Sequence, residues 1–453
     1  MLNLVVSIVG IFITLLLIIG IHELGHFLAA RLLGVKVLRF SIGFGKALWS
    51  RFDQKGTEYV IAAIPLGGYV KMLEEDNENK LSQNELKHTF SRQPFYKKFI
   101  VIIAGPLANL ILAFVLYWIL FVVGFTSIAP IIGKVTRNSI AASAGVPPNT
   151  EIISIDGIPT SSWMGVMIRI MSRTGDTNTL QMKLKPIHQG AAEIYELDLG
   201  NWHMDDLKPD PLESLGLEAY EPEIPAIIEE ITTGSPAAKA GLKKDDKILA
   251  LNGKKINNWI ELASEIDQHP SENLTLNIQR KGKIFAISVM PDYHRDFLFK
   301  KHGFLGISPQ FKWPENLLRN NQYGPIAALS RAWQNTYDFT DLNLAIMGKL
   351  LTGKMSIQSL GGPLSIFQSA GTALNQGITP FLSFLAFISI SIGIINVFPI
   401  PGLDGGHLLF QTIEAILRRP IPPVVQEFCY RLGLVVLLLL IFQSIINDVL
   451  RFQ

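Results

Sequence analysis

Four stretches of the chain are almost free of charge. Leu4 to Ile21 has no charged side chain, and its apolar pattern continues through His22-Glu23-Leu24-Gly25-His26 to Ala30. Phe99 to Phe125 is 27 residues without a charge, and Gly377 to Leu403 is likewise uncharged, with its apolar core at Phe381 to Phe398. Leu432 to Asn447 is shorter, although a helix there has room to begin near Val424. A helix needs about 20 mostly apolar residues to cross a bilayer. The pattern therefore predicts four membrane-spanning helices, a buried soluble helix being the alternative for the last. The first stretch does not read as a signal peptide. Met1-Leu2-Asn3 carries no basic side chain, no small-x-small site follows, and a titratable cluster interrupts the apolar run.

Composition agrees with this reading. Hydrophobic residues make up 48% of the 453 and charged residues 17%, against about 25% charged in ordinary soluble domains, and mean hydropathy is +0.30. A net charge of +2 offers no basic field for nucleic acid. One cysteine excludes an internal disulfide framework and any Cys-based zinc cluster, so a metal site must use His, Asp or Glu. The Lys/Arg bias predicts direction. Residues 1–30 contain none and residues 31–98 contain twelve, which places 31–98 in the cytoplasm and the N-terminus outside. Roughly 126–376 then lies outside, the short loop with Arg418, Arg419 and Arg431 lies inside, and both termini are external.

The external region repeats itself. Ser139-Ile140-Ala141-Ala142-Ser143-Ala144-Gly145 aligns with Ser235-Pro236-Ala237-Ala238-Lys239-Ala240-Gly241, Ile155-Asp156-Gly157 with Leu251-Asn252-Gly253, and Trp163 with Trp259. Leu215-Gly216-Leu217 pairs with Leu305-Gly306-Ile307. Two copies of about 90 residues are the simplest account. Asn252-Gly253 is a hairpin signal. The copies resemble PDZ domains, in which a Leu-Gly-apolar loop offers backbone N–H groups to a peptide carboxylate. Spacer modules with closed grooves are the alternative. Beyond them, Pro325 to Leu351 has the spacing of an amphipathic helix.

His22-Glu23-Leu24-Gly25-His26 fits H-E-x-x-H. On a helix the two histidines lie about 40° apart around the axis and can reach one ion, with Glu23 to the side. Such groups within an apolar span are costly unless they line a cavity or bind something. A catalytic zinc needs a third ligand. The best candidate is Asp404, within Asn396-Val397-Phe398-Pro399-Ile400-Pro401-Gly402-Leu403-Asp404-Gly405-Gly406. Both ligand sets fall toward the cytoplasmic face, although an ordinary Asp-Gly turn is the other reading of Asp404. Pro399 and Pro401 predict a broken third span near Asn396. Unpaired backbone there suits an extended substrate gripped by the Asn396 amide, a locally satisfied kink being the alternative. Lys36 to Ile42 and Glu58 to Ile64 read as a hairpin. It either dips to the membrane face to pair with an unwound substrate or stays a plain cytoplasmic hairpin. His407, a lone histidine after a Gly-Gly turn, reads as structural.

Together these motifs, with Ala104-Gly105-Pro106-Leu107-Ala108-Asn109 opening span two and Leu360-Gly361-Gly362-Pro363 before span three, resemble the site-2 protease family of intramembrane zinc metalloproteases. The resemblance implies one catalytic Zn2+ held by His22, His26 and Asp404, with Glu23 as general base and then acid. It also implies that Asn396, Pro399 and Pro401 position the substrate. Substrates would be single-pass membrane segments already shortened outside, such as a membrane-bound anti-sigma factor, and leftover signal peptides. The PDZ pair would act as a size filter.

The expected architecture is a multi-pass α-helical protein of the bacterial inner membrane, with a membrane-associated cytoplasmic β-hairpin and two periplasmic α+β PDZ domains. Its divisions are span one at 1–33, the β-loop at 34–98, span two at 99–125, PDZ copies at 127–220 and 221–310, and a connecting region at 311–376. Span three follows at 377–404, a cytoplasmic loop at 405–431 and span four at 432–450. Two other classes share parts of this pattern: an idle PDZ scaffold, which has no use for charges in the bilayer, and a metal transporter, whose ligands would be spread through the membrane depth rather than clustered near one face.

Overall fold

The structure is a computed structural model. It describes residues 2–75, 81–187, 190–205, 209–295 and 300–452, without the side chains of residues 2–4, 65, 66 and 452. Among the described residues, four helices are long and apolar enough to cross a membrane: Val5–Leu32, Phe95–Val123, Ile378–Val397 and Pro423–Arg451. They are called spans 1 to 4. Span 2 is the central one, packing against both span 1 and span 3. Small residues permit this closeness. A Cβ added at Gly25 of span 1 would stand 2.3 Å from the Ala104 carbonyl oxygen of span 2.

Between spans 1 and 2 two long strands, β1 (Val37–Phe52) and β2 (Glu58–Met72), form an antiparallel sheet. Each is longer than the runs legible in the sequence because each bends and pairs twice. Ser41 faces both Val60 and Tyr69, while Ser50 faces Val60. Four segments result, with 47–52 and 68–72 at the edges. Gly43 makes the bend at φ +93, and a Cβ there would meet the Ile64 and Ala62 carbonyls.

Two α+β modules are inserted between span 2 and the helix Pro325–Leu351. Thr126–Ile128 and Leu318–Asn320 pair antiparallel and bring the entry and exit of this insertion together. Each module has its own apolar core, around Ile152, Leu180 and Leu197 in the first and Ile248, Leu276 and Ile278 in the second. The repeated sequences occupy equivalent places. Ser139 and Ser235 cap four-residue helices, and Trp163 and Trp259 open ten-residue helices. Asp156-Gly157 and Asn252-Gly253 turn with positive φ at both residues. The copies differ in closure. In the first, Leu217–Ala219 joins one continuous sheet beside Ile131–Val135. In the second, Ile307–Pro309 pairs with Ile228–Ile231 in a sheet of its own.

Two helices were not legible in the sequence. Pro363–Gln376 lies along span 1, where a Cβ on Gly371 would overlap the Ser7 hydroxyl. Its N-terminus is held by Asp448 of span 4, which accepts from the N–H groups of Gly362, Leu364 and Ser365. The stretch 405–431, expected as a loop, is mostly helical: the helix Asp404–Leu417 begins one residue before it, and span 4, expected from 432, already starts at Pro423. Its two glycines do not stop the chain but let it turn tightly. A Cβ on Gly405 would stand 2.2 Å from the Val397 carbonyl, and one on Gly406 2.4 Å from that of Ile400.

Candidate metal centre

His22 and His26 sit one helical turn apart on span 1, both buried, with ring centroids 4.9 Å apart. Asp404 reaches them because span 3 stops at Val397, Phe398 turns extended, and the next helix starts at Asp404 itself. A carboxylate in the first turn of a helix is favoured by the helix dipole. Span 4 closes behind the break, with Gly433 so near that a Cβ would stand 2.2 Å from the Pro401 carbonyl.

His22 Nε2 and His26 Nε2 are 3.3 Å apart, and Asp404 Oδ2 lies 3.0 and 3.3 Å from them. Distance alone suggests two ion pairs. Yet Asp404 Oδ2 is fully buried and takes no hydrogen bond. His26 Nδ1 is 2.8 Å from the Val101 carbonyl, which can only accept. Nδ1 therefore carries the proton and Nε2 presents a lone pair to the cluster. With His22 in the same tautomer, the two Nε2 lone pairs and the Asp404 carboxylate form a set of donors suited to a cation. Zn–N and Zn–O bonds of about 2.0–2.1 Å in a tetrahedron set ligands about 3.3 Å apart. The three separations fit zinc, and these are the His/Cys/Asp/Glu atoms that could hold a metal among the described residues.

Glu23 is adjacent on the same helix, and its side chain lies against the hairpin. A Cβ on Gly68 of β2 would stand 2.8 Å from Glu23 Cγ. Span 2 supplies the wall on the other side. A Cβ on Gly105 would stand 2.2 Å from His26 Nε2, and the buried Asn109 places its amide nitrogen 3.3 Å from His22 Nδ1. Motif spacing alone did not reveal the supporting parts played by Val101, Gly68, Gly105 and Asn109. A buried amide in a membrane span was the available signal for Asn109.

Asn396 is half-buried in the last turn of span 3, one residue before the end, and no hydrogen bond of its side chain occurs among the described residues. Pro399 and Pro401 lie in the non-helical link to Asp404. The Leu215-Gly216-Leu217 and Leu305-Gly306-Ile307 loops lie in the modules, outside the metal cluster. Gly216 and Gly306 have φ of +81 and +72 and pack beneath Ser139 and Ser235. The Gly216 N–H already donates to the Glu213 carbonyl at 2.8 Å. His407 is outside the convergent set. It faces the Tyr430 hydroxyl of span 4 at 3.0 Å, and burial holds its imidazole below the ordinary value. A cavity of about 620 Å³ lies beside it, lined by Lys98, Phe410, Glu414 and Tyr430 among others. Burial also pushes the Glu74 carboxyl up on that cavity's wall.

Comparison with known proteins bears on the whole chain. The profile of Peptidase family M50 spans residues 10–440. The chain is 40% identical over 452 residues to the regulator of sigma-E protease RseP of Salmonella typhimurium, covering 100% of both chains. It is 40% identical over 436 residues to the protein of that name from Escherichia coli, covering 96% of each. A Vibrio cholerae protein named as a zinc metalloprotease is 37% identical over 444 residues, 98% of each chain.

Proposed function

The chain belongs to Peptidase family M50, the site-2 type of zinc metalloprotease, and from that premise we propose that it cleaves membrane-embedded peptide segments with one zinc ion held by His22, His26 and Asp404. The observation that carries the ligand set is the convergence of three candidate ligand atoms within 4.8 Å of one another, with Asp404 Oδ2 buried and unbonded. Zinc bound there acts as a Lewis acid toward the scissile carbonyl and lowers the pKa of water. The chain's own groups do the rest. The Glu23 carboxylate takes a proton from the attacking water and returns it to the departing amine nitrogen. The peptide must be extended to expose its carbonyl. The non-helical link from Phe398 to Leu403 and the unpaired Asn396 amide favour an unwound strand lying along that link. The 68–72 edge of the hairpin, beside Glu23, offers it a pairing partner.

The Lys/Arg bias supports a direction in which the hairpin and the Asp404 helix face the cytoplasm, while the two modules and both termini face the periplasm. This suits a protein of the inner membrane. The names of the relatives support a substrate of the membrane-bound anti-sigma type. In the proposed reaction it is cut within its span after its outer part has been shortened, and leftover signal peptides form a second group. The paired modules act as PDZ-type filters against bulky outer domains, and the occupied Gly216 N–H favours the second copy for peptide binding. An idle scaffold gains nothing from buried zinc ligands. A transporter would spread them through the bilayer depth, whereas these sit on adjoining turns.

The test is cleavage of a tagged, externally truncated single-pass substrate in cells lacking the endogenous enzyme. Wild type is compared with Glu23→Gln at matched expression and zinc content. Cleavage by wild type alone is expected. Equal cleavage by both removes Glu23 from the chemistry, and cleavage by neither with zinc bound turns attention to transport.

A further inference from the structure

We infer that Asn109 fixes the tautomer of His22 for metal binding, by presenting its side-chain oxygen to the His22 Nδ1–H. The inference rests on the proposed role of His22 as a zinc ligand. A neutral imidazole has one N–H and one lone pair. His22 turns Nε2 toward Asp404 Oδ2 and His26 Nε2, at 3.0 and 3.3 Å. If Nε2 supplies the lone pair there, the proton must reside on Nδ1. The polar group 3.3 Å from Nδ1 is the Asn109 amide, with its NH2 end toward the ring. That sets donor against donor. At the other end of the same amide, Oδ1 is buried and has no partner. Turning the amide by half a turn removes the clash and gives the oxygen its partner, and the two ends are nearly equal in size.

His26 supplies the precedent within the same site, because its Nδ1–H donates to the Val101 carbonyl at 2.8 Å. Val101 and Asn109 are about two helical turns apart on span 2, each facing one histidine of the antiparallel span 1. One acceptor is a backbone oxygen and the other a side-chain oxygen, but both leave Nε2 free for the metal. Asn109 is itself fixed from a third direction, since its backbone carbonyl accepts from the Ser389 hydroxyl of span 3 at 2.8 Å. It is fully buried. Asn109 is thus a positioning residue that acts through His22. Outer partners of this kind hold the ring and raise its basicity.

The experiment uses the full-length protein in detergent, stripped of metal and titrated with Co2+. Asn109→Leu keeps most of the volume and loses the acceptor, whereas Asn109→Asp keeps an acceptor oxygen. Leucine should lower Co2+ affinity about 10–100-fold and shift the visible absorption of the bound ion. Aspartate should recover the affinity toward wild type. Thermal unfolding of the metal-free proteins serves as the control for folding. Wild-type affinity in Asn109→Leu, or equal losses in both variants, overturns the inference. Failure of the wild type to bind Co2+ overturns the ligand assignment itself, a separate failure. Where a variant does not fold, histidine 15N NMR of the zinc-loaded wild type decides. A protonated His22 Nδ1 supports the inference and an unprotonated one overturns it.

Discussion

Gly105→Ala is the most exacting test of how span 2 supports the metal centre. The new methyl would stand 2.2 Å from His26 Nε2, 2.6 Å from Cε1 and 2.7 Å from Cδ2, squarely on the ring edge. Ordinary contact begins at about 3.4 Å, so about 1.2 Å of displacement is needed. The ring cannot swing freely, because its Nδ1–H is bound to the Val101 carbonyl at 2.8 Å. The spans close tightly here too, with Gly25 seated against the Ala104 carbonyl. Overpacking of this sort costs about 1–3 kcal/mol of stability, which a protein of this size survives. A ligand displaced by about 1 Å, however, costs on the order of 100-fold in rate. The assay measures zinc content after gel filtration together with the cleavage rate of the truncated substrate. Gly348→Ala is the control, because its Cβ meets nothing within 4 Å. It should retain both zinc and rate. Wild-type zinc content and cleavage in Gly105→Ala would refute the contact geometry on which the reasoning depends.

Gly68→Ala pushes on Glu23 Cγ from 2.8 Å and should lower kcat while leaving zinc content intact, a split readable by parallel metal analysis and cleavage kinetics. Asp448→Ala leaves the N–H groups of Gly362, Leu364 and Ser365 without their acceptor. At about 1–3 kcal/mol for an unsatisfied buried group, hydrogen exchange across Pro363–Gln376 should quicken, and unchanged exchange would count against the clasp. Asp53 is lowered from 3.8 to about 2 by the Arg31 guanidinium. Its folded value lies below its unfolded one, so this stabilisation is full above pH ~4 and disappears between pH ~4 and ~2. Asp53→Asn should remove that step from the acid unfolding curve. Chelation of zinc should abolish cleavage reversibly without unfolding the spans, as judged by far-UV circular dichroism before and after zinc is restored.

Much of the architecture was legible because a bilayer imposes a coarse code. An uncharged run such as Phe99 to Phe125 has few alternatives, and His22, Glu23 and His26 stand out within such a run because burying them is costly. The repeat was legible for another reason: Ser139 and Ser235 cap, and Asp156 and Asn252 turn, through local backbone preferences that survive in any context. The helix Asp404–Leu417 was hidden because glycine has two uses. At Gly405 and Gly406 it permits close approach to carbonyls of the preceding link, which only the tertiary structure reveals. The doubled pairing of β1 and β2 was hidden likewise, since the partner of Ser41 depends on where the chain bends back. The part played by Asn109 was hidden because the histidine it faces lies 87 positions away.

The division of the proposed metal ligands between the two ends of the chain has a consequence for biosynthesis. His26 is made 378 residues before Asp404. At about 5–20 residues per second, roughly 20–75 s pass between them on the ribosome. During that interval spans 1 and 2 can already lie in the bilayer with the two histidines in place, but the third ligand does not yet exist. With that ligand set, a nascent chain is proteolytically silent toward its neighbours in the membrane. A product truncated before its last two spans stays silent permanently.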